Sequence, residues 1–112
     1  MQNKKELIDA YKNRKQIGGI CKITNTKTGK IFLFTTADTI GSKNRFEFSK
    51  KTGSAINLKL QADWNLYGED VFEFEIIEQL EKNLDQTVKE FNEDLNELLE
   101  LYIQKFSNVD MY

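Results

Sequence analysis

Gly19-Ile20-Cys21-Lys22-Ile23-Thr24 and Lys30-Ile31-Phe32-Leu33-Phe34-Thr35 are two β-prone runs on either side of the polar, glycine-bearing Asn25-Thr26-Lys27-Thr28-Gly29. β-branched and aromatic side chains suit a pleated surface, and Asn, Thr and Gly suit a chain reversal. The pair therefore predicts a β-hairpin over 19–24 and 30–35. Downstream, residues 71–77 alternate Phe72, Phe74 and Ile76 with Glu73 and Glu75, the period of a strand with one face buried. Between hairpin and strand, Ile56, Leu60, Trp64 and Tyr67 recur at helical spacing and Gly68 follows as a C-terminal cap, predicting a helix over 55–67. Trp64, Tyr67 and Phe72 are expected in its core.

Further out, Val88, Phe91, Leu95, Leu98, Leu99, Tyr102 and Phe106 form an apolar stripe opposite Glu90, Glu93, Asp94, Glu97 and Glu100. This predicts an amphipathic helix over 86–106. Upstream, Leu7, Ile8 and Tyr11 among Lys4, Lys5, Lys12, Arg14 and Lys15 predict a short basic helix over 3–15, ended by Gly18-Gly19. The stretch 37–54, with Gly41, Gly53 and many polar residues, reads as loop with one helical turn near Arg45. The expected order is α-β-β-α-β-α, an α+β fold with a three-stranded sheet flanked by helices. At 112 residues it is expected to form a single domain, 1–112.

Composition narrows the chemistry. There is no histidine and one cysteine, Cys21, which excludes imidazole catalysis, Cys/His zinc sites and an intrachain disulfide. One unpaired cysteine and no secretory signal or bilayer-length apolar run fit a cytoplasmic protein without membrane contact. Charge is divided: residues 1–60 hold 13 Lys and Arg against 4 Asp and Glu, whereas residues 61–112 hold 3 against 14. A basic half attracts phosphate; an acidic half repels it or pairs with the basic half of another copy. Two solvated faces of one domain are the plainer alternative.

The hairpin residues resemble the opening of the GIY-YIG nucleases, in which a Gly-Ile-Tyr strand faces a Tyr-Ile-Gly strand. The resemblance continues through Lys59-Leu60-Gln61-Ala62-Asp63-Trp64-Asn65-Leu66-Tyr67-Gly68-Glu69-Asp70, Phe72-Glu73-Phe74-Glu75-Ile76-Ile77-Glu78 and Tyr102-Ile103-Gln104-Lys105-Phe106. A small-protein branch of the family also has counterparts of the basic leading helix and of Asn44-Arg45-Phe46-Glu47-Phe48. The resemblance implies magnesium-dependent hydrolysis of a phosphodiester, with a helix carboxylate holding the ion, an arginine meeting negative charge and strand tyrosines orienting water.

The residues at the matching positions depart from that chemistry. The two tyrosine positions are Cys21 and Phe32, the closing glycine is Phe34, the metal-binding glutamate is Leu99, and a frequent histidine position is Ala55. Arg45 is the retained catalytic position. Leu99 continues the apolar stripe, and Glu100 is turned about 100° from it on a helix. Cys21 reads as a small buried hydrophobe, a nucleophilic thiolate being the other reading.

The expectation is a catalytically degenerate domain that acts by binding, without metal or other cofactor. Lys43, Arg45, Lys50 and Lys51 are the candidate DNA or RNA contacts, and a protein is the other candidate partner. Two alternatives are a divergent Mg²⁺-dependent endonuclease using Arg45 with Glu47 or Glu100, and a phage or mobile-element inhibitor whose acidic helix imitates a phosphate backbone.

Overall fold

The computed structural model describes residues 15–112; the helix expected over 3–15 lies outside them, apart from Lys15, which is not helical. The hairpin forms as expected and extends further, with β1 at Ile17–Asn25 and β2 at Ile31–Thr36. Its register sets Cys21 opposite Phe34 and Ile23 opposite Phe32. At the reversal the buried Asn25 carboxamide accepts the backbone N–H groups of Lys27 and Thr28 at 2.9 and 3.3 Å, a side-chain brace that Asn supplies in turns. The third strand, β3 at Phe72–Glu81, pairs antiparallel on the other side of β1, giving the order β2-β1-β3.

Gly18 and Gly19, read from the sequence as a helix breaker, both lie within β1. A Cβ at Gly19 would collide with the carbonyl oxygen of Glu78, and one at Gly18 would meet the Phe91 ring at 2.9 Å. Gly19 allows β3 to approach β1 closely just before a bulge between Ile20 and Cys21, and Gly18 leaves room for the Thr36 carbonyl and the Phe91 ring.

The stretch 37–54 is not a loop. Its residues form α1 over Thr39–Thr52, followed by α2 over Leu58–Tyr67, a single 3₁₀ turn at Glu69–Val71, and α3 over Val88–Lys105. Helix α1 buries Thr39, Ser42, Phe46 and Ser49, a stripe at helical spacing made mostly of hydroxyl residues rather than aliphatic ones. Asp38 caps its N-terminus by accepting from the Gly41 N–H at 3.0 Å. Gly53 ends it in the left-handed region, φ 78°, donating its N–H to the Ser49 carbonyl.

Side-chain alternation sends Cys21, Ile23 and Asn25 to one face of the sheet and Gly18, Ile20 and Lys22 to the other. Helices α1 and α2 cover the first face. Ile23, Phe46, Leu60, Trp64 and Phe72 form the core there. Rings run in contact from Phe32 to Phe34 to Phe74 to Phe46 to Trp64 to Phe72, with neighbouring centroids 4.8–6.3 Å apart. Each fully buried Phe or Leu contributes about 1.5–3 kcal/mol. Helix α3 covers the opposite face, where its buried Phe91 lies against Gly18 and the Lys22 ammonium sits 5.2 Å from the Phe106 ring centroid. Trp64 and Phe72 are core as expected, whereas Tyr67, in the last turn of α2, is exposed.

Candidate functional site

Cys21 and Phe32 lie on the face covered by α1 and α2. Cys21 is fully enclosed, and burial pushes its thiol up to about 11, so the thiolate needed for nucleophilic work is essentially absent at neutral pH. Phe32 is half-buried, stacked on Phe34 at 5.3 Å and packed against the core. Hydrocarbon and a protonated thiol therefore occupy the positions where the resemblance implies phenolic oxygens. Ala55, half-buried in the α1–α2 loop, packs against the same core and donates its N–H to the Gln61 carboxamide at 2.9 Å.

Leu99 stands on α3, the layer on the other side of the sheet. It is half-buried and follows Phe91 and Leu95 along the inward side of that helix, while Glu100 is exposed. A hard cation needs converging oxygen ligands. Leu99 offers none, and no three Asp, Glu, Cys or His side chains converge anywhere among the described residues. Among the described residues, the side chain at the position that the resemblance gives to the metal ligand, Leu99, does not fit the magnesium-type ion it implies.

Arg45 projects from α1 beside an open pocket lined by Thr36, Ala37, Asp38, Gly41 and Ser42 together with Arg45 itself. Its Nη2 donates to the Ser42 hydroxyl at 3.4 Å, and Ser42 donates to the Thr36 hydroxyl at 2.7 Å. Thr36 in turn accepts from the Asp38 N–H at 3.0 Å and donates to the Asp38 carbonyl at 2.9 Å. A chain of hydroxyls thus ties the end of β2 to the first turn of α1 and ends at the Arg45 guanidinium. Asp38 and Ser42 lie in the stretch 37–54 that the residues suggest is loop, and Thr36 lies one residue past the expected end of the second strand. The signal was there in the spacing of Thr39, Ser42, Phe46 and Ser49 between Asp38 and Gly53.

The four candidate cations do not form one cluster. With about 100° per residue, Lys43 and Lys50 share one flank of α1, Arg45 lies nearly opposite them, and Lys51 points outward between the two flanks. Lys43, Arg45 and Lys51 are exposed; Lys50 is partly committed, its ammonium 5.1 Å from the Phe46 ring centroid. Glu47, the carboxylate offered for a divergent nuclease, is exposed on the same helix.

No family model and no curated protein matches the chain. Two solved structures do. A mutant of the catalytic domain of the intron endonuclease I-TevI superposes with a TM-score of 0.59 at 23% identity, covering 81% of this chain and 84% of that one. The catalytic domain of the homing endonuclease I-TevI gives 0.57 at 23% identity, covering 80% and 88%. No helix among the described residues is long and apolar enough to cross a membrane. Over about four fifths of its length the chain has the α+β fold of the I-TevI catalytic domain, a GIY-YIG nuclease.

Proposed function

We propose that this chain is a GIY-YIG endonuclease-like domain that binds nucleic acid through α1 and does not cleave it. The observation that carries the reading is a pairing of loss and retention on one fold. Oxygen and metal-ligand positions are hydrocarbon or buried thiol, while Lys43, Arg45 and Lys51 remain exposed on α1. A positioned acid or base is worth roughly 10²–10⁴ in rate, so losing both tyrosine hydroxyls and the metal carboxylate leaves little catalysis. Phosphate binding needs none of those groups; it needs exposed cations held in a fixed geometry.

Arg45 is the residue that fixes register in this reading. Its guanidinium is always charged and can donate from two nitrogens to a phosphate, and one of those nitrogens donates to the Ser42 hydroxyl, which is itself bonded to Thr36. Lys43 and Lys51 supply the outward charge, Lys50 a smaller share. The test is duplex affinity measured by mobility shift across a salt series. The expected result is binding that weakens steeply with salt, with Arg45→Ala lowering the slope of log K against log salt by about 1. Binding insensitive to both salt and Arg45→Ala rules out α1 as the contact surface.

A further inference from the structure

We propose that the outward face of α1 docks the α3 helix of a second copy of this chain. On α1, Ile40, Asn44 and Phe48 are spaced four apart and face away from the buried stripe. Ile40 and Phe48 are 68% and 65% exposed, and Lys43 and Lys51 flank them. Two large apolar side chains on one exposed stripe of a helix that buries hydroxyls on its inner side mark a face that no element among the described residues covers. Its charge is basic, with Glu47 the single carboxylate between the lysines.

The complementary surface lies on this same molecule but cannot reach it. Helix α3 turns Glu90, Glu93, Glu97 and Glu100 outward beside Leu101, which is 63% exposed, with Lys89 and Lys105 only at its two ends. The sheet separates α1 from α3. Among the described residues the sole ion pair is Lys22 with Glu75 at 3.2 Å, so the basic and acidic helices do not neutralise each other within one chain. The division of charge between the two halves of the sequence thus becomes two opposed surfaces. Phe48 and Ile40 of one copy meet Leu101 of the next, ringed by Lys43 and Lys51 against Glu93, Glu97 and Glu100.

Because the two surfaces differ and lie on opposite sides of the sheet, the contact is head-to-tail and adds copies in a row rather than closing a two-fold dimer. Lys43 and Lys51 also serve the proposed nucleic-acid surface, so duplex and a second copy compete for α1. The self-contact itself does not depend on nucleic-acid binding.

Sedimentation equilibrium on the whole chain tests this at about 0.1 M and about 1 M salt, where the Debye length falls from about 10 to about 3 Å. The parent is expected to gain mass with concentration at the lower salt, by about twofold and beyond, and to lose most of that gain at the higher. Phe48→Glu with Lys51→Glu, and separately Glu93→Lys with Glu97→Lys, should each give monomers with unchanged circular dichroism. Since each variant keeps one intact surface, mixing them should yield a 1:1 dimer and nothing larger. A parent that stays monomeric at the lower salt overturns the proposal, as does association that survives both double substitutions. So does a mixture of the two variants that stays monomeric. Failure of duplex binding with the association intact would remove the nucleic-acid reading and leave this one standing.

Discussion

Asn25 is a fully buried polar side chain, and one distant residue completes its hydrogen bonding. Its carboxamide oxygen serves the hairpin turn, while its Nδ2 donates to the Tyr112 hydroxyl at 3.1 Å, which itself donates to Asp63 at 2.7 Å. Three segments far apart in sequence meet at one phenol: the hairpin, α2 and the strand-like segment at Met111 that bridges Ile31. Burial, and then the Asp63 hydrogen bond, push the Tyr112 hydroxyl up to about 12. An acid whose folded-state value is raised contributes stability that is complete below its unfolded value near 10. That contribution is lost as pH climbs from about 10 toward about 12. Tyr112→Phe is expected to cost about 1–3 kcal/mol at neutral pH, because it strands a buried Asn25 donor. Its melting temperature should also fall less than the parent's between pH 9 and the alkaline limit, as read by thermal melts across pH. Equal alkaline sensitivity in both proteins would show that Tyr112 does not carry this linkage. Nothing in the local sequence announced the network, since its partners are 49 and 87 residues apart.

Among the elements, those that bury aliphatic or aromatic side chains at a regular period were legible: both hairpin strands, β3, α2 and α3. Their boundaries moved by a few residues, most at β3, which runs to Glu81. Helix α1 was not legible because its buried stripe is Thr39, Ser42, Phe46 and Ser49, which lacks the aliphatic period that reveals a helix. A helix with so little apolar burial depends on its ends. Asp38→Ala should destabilise by about 0.5–2 kcal/mol through loss of the cap. Gly53→Ala should cost about 1 kcal/mol because its φ of 78° is strained for any other residue. Denaturant titrations of the two variants check this, and values near zero for both would mean that α1 is held by packing alone. On α3 the comparison is between adjacent positions. Leu99→Glu places a carboxylate on the half-buried inner side and should lower the melting temperature by several degrees, whereas Glu100→Gln on the exposed side should be nearly silent. A Leu99→Glu variant as stable as the parent would show that Leu99 has not been absorbed into the packing. The candidate site was half legible for the same reason as the helices. Cys21, Phe32, Leu99 and Arg45 were found by resemblance, but the hydroxyl chain of Thr36 and Ser42 that meets the Arg45 guanidinium depends on α1.

For the molecule as a whole, three layers keep the two charges apart. The sheet holds the basic α1 and the acidic α3 on opposite faces, so a net charge of −2 conceals two surfaces of opposite sign. Long-range steering by such a field favours a polyanion approaching α1 and disfavours one approaching α3. The fold is that of the I-TevI catalytic domain, and in the proposed reading the positions to which the resemblance assigns water-activating oxygens and a metal ligand, Cys21, Phe32 and Leu99, serve packing instead. Purified protein incubated with supercoiled plasmid, with and without Mg²⁺ or Mn²⁺, reads binding and cutting on one gel. Retardation that fades at high salt is expected, with no metal-dependent conversion to nicked or linear plasmid. Nicking that requires the metal and disappears in Arg45→Ala would contradict it and make this chain a working nuclease.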